Sequence, residues 1–148
     1  MTDKLYFDDL PVGRSFRSLP CRIEAAEIIA FAKQFDPQPF HLDDEAAKSS
    51  MFKGLAASGW HTLAITMRLI VDSVPIAGGL IGSGADELRW LRPVRPGDEL
   101  WVECEVIDAQ ASKSRPQGRV DMRNTTRDGT GEAVQVFVAH MIVPRRLS

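Results

Sequence analysis

The chain has 148 residues, of which 44% are hydrophobic and 26% charged, and its formal net charge is -2. A length near 150 fits one domain with its own core, and the ordinary apolar fraction excludes disorder as the main state. With 18 Lys+Arg against 20 Asp+Glu there is no cationic excess to neutralise phosphates, so a nucleic-acid partner is not expected.

The N-terminal run Met1-Thr2-Asp3-Lys4-Leu5-Tyr6 has no basic segment followed by an apolar one, so no export signal is read there. Residues 6–13 form a turn-rich entry, and Arg14 to Leu19 alternate as a short strand should. A helix is predicted over 24–35, because Ile28, Phe31, Ala32 and Phe35 fall at i, i+3, i+4 and i+7. Glu24 and Glu27 suit the positive end of its dipole. Pro37 and Pro39 stop the helix near Asp36 and predict a stiff, non-helical turn over 36–41. A short helix through about Lys48 follows, opened by Asp43, Asp44 and Glu45.

Ser58 is a natural N-cap for a longer helix. Leu63, Ala64, Met67, Ile70 and Val71 would form one of its faces, and Trp60, Ile65 and Leu69 cover much of the rest, so it is expected to be buried nearly all round. His61, Arg68 and two threonines interrupt this stretch, and it falls short of the roughly 20 apolar residues a bilayer requires; no membrane segment is expected. Glycines at 78, 79, 82 and 84 predict a loop over 73–84. From there the period is two, with strands expected over 86–92, 99–110, 117–127 and 132–143. Pro96-Gly97 and Asp128-Gly129 supply turns. The sum is an α+β domain in which a four-strand antiparallel meander curves around a buried helix.

Cys21 and Cys104 match no metal spacing and read as small hydrophobes in a reducing cytoplasm. The densest polar constellation is Phe35-Asp36-Pro37-Gln38-Pro39-Phe40-His41-Leu42-Asp43. A carboxylate and an imidazole held close on a stiff, partly apolar turn are what proton transfer requires, since burial tunes their pKa values and rigidity fixes their separation. A local cap at Asp36 beside a satisfied half-buried His41 is the structural alternative. A metal held by Asp36, His41 and Asp43 lacks the further ligands a coordination shell needs. At the start of the long helix, free N–H groups and Gly59 would let a ligand oxygen approach closely, as an oxyanion site demands. A cap and a tight packing contact explain the same residues. Arg119, Arg123 and Arg127 share one strand face with Arg115 just before them; a solvated face is favoured over a phosphate site. His61 and His140 read as structural.

The segment Asp36 to Asp43, then Ser58-Gly59-Trp60, then Leu91-Arg92-Pro93-Val94-Arg95-Pro96-Gly97-Asp98 resembles the MaoC-like dehydratase family, the (R)-specific enoyl-CoA hydratases of the hotdog fold. The family turn is usually D-x-N-P-x-H-x-D, with a later His-Gly pair opening the central helix. Gln38 stands where the family usually has Asn, and Ser58 where it often has His. The resemblance implies a single hotdog domain over 1–148, with an antiparallel curved sheet wrapped around a long central helix. It implies Asp36 and His41 as the catalytic acid/base pair and Gly59 as the backbone donor to a thioester carbonyl, with Gln38, Ser58 and Trp60 at the substrate. The implied reaction is reversible syn hydration of a trans-2-enoyl thioester, as in fatty acid metabolism. No metal or separate cofactor is implied, coenzyme A being part of the substrate. An acyl-CoA thioesterase and a non-catalytic acyl-CoA-binding domain are the rival functions on this fold. A domain this small has no private cleft, so a homodimer or higher homo-oligomer is expected to complete the pocket.

Overall fold

The computed structural model describes residues 3–147. A single turn of 3-10 helix at Phe7–Asp9 leads to β1 (Ser15–Arg17) and β2 (Cys21–Arg22). Three helices follow: α1 (Ala25–Phe35), α2 (Pro39–Leu42) and α3 (Asp44–Lys48). Then come α4 (Gly59–Ser73), β3 (Ile81–Trp90), β4 (Glu99–Ala111), β5 (Gln117–Arg127) and β6 (Ala133–Pro144).

The helix starts obey local chemistry. Glu27 reaches back to accept the Glu24 N–H at 3.1 Å, and Asp43 accepts from the Glu45 N–H at 3.2 Å. The expected non-helical turn over 36–41 needs correction. Gln38 is extended, as a residue before proline must be, but Pro39–Leu42 form one helical turn. Pro39 occupies its first position, where a missing N–H costs nothing.

The sheet order is β1-β4-β5-β6-β3, with β2 beside β4. All named pairings are antiparallel. Strands β4, β5 and β6 are a meander, but β3 joins the far edge beside β6 rather than its chain neighbour β4. The expected four-strand meander is therefore wrong in order. The segment 91–98 is too long and too proline-rich for a tight hairpin, and Val94 is buried in the core. The glycine stretch is shorter as a loop than expected. Gly78 and Gly79 turn with φ of 78° and 100°, while Gly82 and Gly84 already pair with Met141 and His140. Edge pairing with β6 overrides their weak strand propensity.

The inner sheet face and α4 make the main core, which includes Val102, Cys104, Val106, Val120, Met122, Phe137 and Met141 with Leu69 and Ile70. Burial pushes the Cys104 thiol up to about 12, with the Glu103 charge adding to it, so this cysteine behaves as a hydrophobe. Cys21 is a free, half-buried thiol. In β6, one extra residue at Val134 breaks the register between Thr126↔Gln135 and Arg127↔Ala133. The bulge turns both Val134 and Gln135 inward.

Helix α4 is not buried all round in the chain. His61, Thr62, Thr66, Leu69 and Ile70 are buried, whereas Trp60, Met67 and Val71 are 56%, 44% and 50% exposed. The threonines tolerate burial because they find partners. Thr66 Oγ1 donates to the Thr62 carbonyl at 2.9 Å and meets Thr126 Oγ1 at 2.7 Å. On α1, Ile28 and Ala32 are buried as the stripe predicts, but Phe35 is 66% exposed.

The outer sheet face is charged and self-paired. Arg119 meets Asp108 and Asp121, Arg123 meets Glu105, and Arg127 meets Glu103, all at 3.3–3.4 Å. This is the solvated face expected, with Arg115 exposed in the turn before β5.

Candidate active site

The site forms where the 36–43 segment meets the start of α4. Asp36 ends α1, its N–H donating to the Ala32 carbonyl at 2.9 Å. His41 sits in the single turn of α2 and is 4% exposed. Its Nδ1 lies 2.6 Å from the Ala56 carbonyl. A carbonyl can only accept, so Nδ1 carries a hydrogen and Nε2 is the nitrogen free to gain or lose one. Nε2 faces Asp36 Oδ2 at 3.4 Å. Phe40 and Phe52 flank the imidazole at centroid distances of 4.6 Å and 5.8 Å and limit its rotation.

The loop behind His41 is fixed from the opposite side. The Ala56 N–H donates to the Phe40 carbonyl, and the Ala57 N–H to the Val94 carbonyl. The Arg95 guanidinium donates to the Gly54, Leu55 and Phe52 carbonyls, and Asp98 accepts the Arg95 N–H at 2.8 Å. The Arg-Pro-Gly-Asp run thus clamps the loop that presents the Ala56 carbonyl to His41.

Asp36 is set electrostatically. Burial pushes its carboxyl up. Hydrogen bonds from Ser58 and Gln38 and the charge of His41 outweigh this and hold the group below the usual carboxylate range. Gln38 Nε2 donates to Asp36 Oδ1. The Gln that replaces the family Asn therefore reaches the acid directly. Ser58 is fully buried and serves two groups. Its oxygen accepts the Trp60 N–H at 3.2 Å, and its hydroxyl helps hold the Asp36 pKa down.

Gly59 is the first residue of α4, so its N–H has no acceptor within the helix. A cavity of about 280 Å³ opens beside it, lined by His41, Phe52, Gly59, Thr62, Trp90 and Arg92 among others. Of the residues the sequence motif suggests, His41 and Gly59 line the cavity, while Asp36 and its partner Gln38 stand behind His41 and Ser58 caps the helix beside Gly59. Trp60 does not line the cavity; it is over half exposed and packs edge-on against Trp90 at 5.1 Å. The sequence reading missed Phe52, Thr62, Trp90 and Arg92. Only the Leu91-Arg92-Pro93 signature next to Trp90 pointed toward them, and it could not reveal a contact with Gly59. Asp43 serves as a cap, and no cluster of three or more His, Cys, Asp or Glu suited to a metal occurs among the described residues.

The other histidines lie apart. His61 stacks flat on Phe31 at 4.7 Å, and burial pushes its pKa down despite nearby Glu27. His140 is bridged on the outer sheet face, 2.6 Å from Asp121 and 2.6 Å from Asp86.

A curved antiparallel sheet packed on one long helix, with a polar pair at the helix start, defines a protein of the hotdog type. Residues 9–128 match the MaoC like domain model, and the chain belongs to that dehydratase family. It is similar to the crystal structure of a MaoC-like dehydratase from Rhodospirillum rubrum, with 54% identity, 97% of this chain and 99% of that one covered, and a TM-score of 0.93. It is 33% identical over 108 residues to the uncharacterized protein YdeM of Bacillus subtilis, covering 72% of this chain and 77% of that protein. It is 26% identical over 142 residues to the (R)-specific enoyl-CoA hydratase of Rhodospirillum rubrum, covering 95% and 93%.

Proposed function

We propose that the protein adds water reversibly across the double bond of a 2-enoyl thioester, giving a 3-hydroxyacyl thioester. The carrying observation is that His41, with Asp36 behind it at 3.4 Å, and Gly59, whose N–H has no acceptor within the helix, line one small cavity. The Gly59 N–H hydrogen-bonds the thioester carbonyl, and the helix start favours the charge that grows on that oxygen. The β-carbon becomes electrophilic. Between them, Asp36 and His41 take a proton from water as its oxygen bonds to the β-carbon, and return one to the α-carbon. Because Asp36 Oδ2 and His41 Nε2 lie on one side, both additions occur on one face. Both protons are assigned to the two groups together. Gln38 and Ser58 orient and charge-stabilise Asp36.

Acyl-CoA is the proposed substrate, supported by the enoyl-CoA hydratase among the relatives. No separate cofactor enters the mechanism. Two free cysteines suit a reducing cytoplasmic setting. No helix among the described residues is long and apolar enough to cross a membrane.

A second copy of the chain is proposed to complete the pocket. Trp60, Met67 and Val71 on α4 are exposed, Trp60 packs against Trp90 of the edge strand β3, and on that strand Ile81 is 59% exposed and Trp90 44% exposed. Such an apolar surface beside an unpaired strand edge favours pairing. Light scattering should give twice the chain mass; an active monomer would count against it.

The decisive assay follows loss of enoyl absorbance with crotonyl-CoA and with longer and branched 2-enoyl-CoA substrates. Turnover by the wild type is expected, together with its loss in Asp36→Asn and His41→Ala. Free thiol release without loss of enoyl substrate would mean hydrolysis, and tight binding without turnover would mean a binding domain.

A further inference from the structure

A glycine at the first position of a helix is the residue most free to rotate, yet an oxyanion donor must point in one direction. Around Gly59 that freedom is removed from outside the helix. The Trp90 indole packs directly against the glycine. A Cβ placed on Gly59 would come within 2.4–2.8 Å of three indole carbons, so the ring fills the space a side chain would take. The indole Nε1–H then donates to the Gly59 carbonyl at 3.0 Å and to Gln135 Oε1 at 2.9 Å. Ring contact fixes the Cα, and the hydrogen bond fixes the carbonyl.

The chain of contacts continues into the sheet. Trp90 and Gln135 are register partners on β3 and β6. Gln135 is fully buried, and its inward turn follows from the Val134 bulge. Its Nε2 donates to Thr66 Oγ1 at 3.1 Å and to Thr126 Oγ1 at 3.3 Å. Thr66, about two turns along α4 from Gly59, also donates to the Thr62 carbonyl one turn before it. The start of α4 is thus held to the sheet at Gly59 and again at Thr66 by one connected network, half-exposed at Trp90 and buried at Gln135, Thr66 and Thr126. A polar network in the core costs desolvation unless it is satisfied, and in return it fixes one geometry.

We infer that Trp90 and Gln135 are positioning residues that lock Gly59 so that its N–H meets the substrate carbonyl. This inference rests on the hydratase reading for its substrate. It does not rest on the Asp36–His41 chemistry, which the network does not touch.

The test uses Trp90→Phe, which keeps most of the ring contact and loses the N–H, and Gln135→Met, which keeps the volume and loses the amide. Both are assayed with crotonyl-CoA. In parallel, the carbonyl stretch of carbon-13-labelled butyryl-CoA, which has no double bond to hydrate, is read by infrared difference spectroscopy. In Trp90→Phe, kcat should fall about tenfold with KM changed less than twofold, as expected for misaligning a transition-state donor. The downshift of the bound carbonyl should shrink in the same variant. Gln135→Met should move both readouts in the same direction and less far. A merely structural role would lower the melting temperature and leave kcat and the carbonyl frequency of the folded protein unchanged; that result overturns the inference. If Trp90→Phe does not fold, an unchanged carbonyl shift in Gln135→Met overturns it. If both fail to fold, the network serves stability and the inference falls. A wild type that polarises bound butyryl-CoA but hydrates no enoyl thioester would sink the hydratase reading, and a carbonyl shift reduced in the variants would still support this one. A wild type that binds neither thioester overturns both.

Discussion

Two histidines in this molecule face aspartates, and only one is left with work to do. His140 is bridged at both ring nitrogens, to Asp121 and Asp86, each at 2.6 Å. It stitches the edge strand β3 to β6 and β5 and has no position to offer a ligand. The hydrogen bonds from Asp121 and then Asp86 raise its pKa above the ordinary value, although burial opposes them. His41 has one nitrogen fixed by the Ala56 carbonyl and the other facing Asp36 at the looser distance of 3.4 Å. The cavity beside it is what a saturated pair lacks. The lesson is that spare hydrogen-bonding capacity aimed at a void, more than the His–Asp pairing itself, marks the chemical site.

The strongest way to break this contrast is to remove the unsaturated pair. Asp36→Asn and His41→Ala should each lower kcat/KM for crotonyl-CoA by about 10³-fold, within the range of general acid–base catalysis. Full activity in either would erase the distinction. Next in size is Gly59→Ala. The new methyl would sit 2.4 Å from the Trp90 ring, so either the indole or the helix start must move. A fall in kcat of about 100-fold is expected from steady-state kinetics, with the protein still folded by circular dichroism.

A subtler change sharpens the comparison. Ser58→Ala removes a hydrogen bond that holds the Asp36 carboxyl low, so the Asp36 pKa should rise. The acidic limb of the kcat/KM profile should move to higher pH, and loss of the N-cap should cost about 1 kcal/mol in denaturant unfolding. An unmoved acidic limb would show that Ser58 acts only as a cap.

The smallest effect belongs to the saturated histidine. His140→Gln should change kcat/KM less than twofold. Its mark should be on stability, with a definite sign. A group whose pKa is raised by folding stabilises fully below its unfolded value and loses that contribution as pH rises through the folded one. The melting-temperature gap between wild type and His140→Gln should therefore be largest below about pH 6.5 and close at higher pH. A gap that widens with pH would contradict the two-carboxylate geometry.

Much of the site was legible because it is local. Pro37 and Pro39 fix the backbone between Asp36 and His41, so six residues suffice to place an acid near a base. Ser58-Gly59 reads as a helix start for equally local reasons. The face of α4 was misread because helical periodicity counts apolar residues, and here Thr62 and Thr66 are the ones buried. Thr62 is satisfied locally by the Ser58 carbonyl, and Thr66 also by Gln135 and Thr126, partners far away in the chain. Phe35 and Trp60, apolar by type, stand exposed on the single chain.

The sequence by itself determined that strands follow helices, where α1 stops, and that Asp36, His41 and Gly59 belong to one motif. Those features depend on side-chain periodicity, proline geometry and capping, all of which act within a few residues. Tertiary structure alone decided that β3 pairs with β6, that a bulge turns Gln135 inward, and that Trp90 lies on Gly59. The β3–β6 pairing and the Trp90–Gly59 contact join segments far apart in the chain, and the bulge depends on how β6 registers against β5. The free energy of such contacts depends on what arrives at the other side, and no local pattern records it.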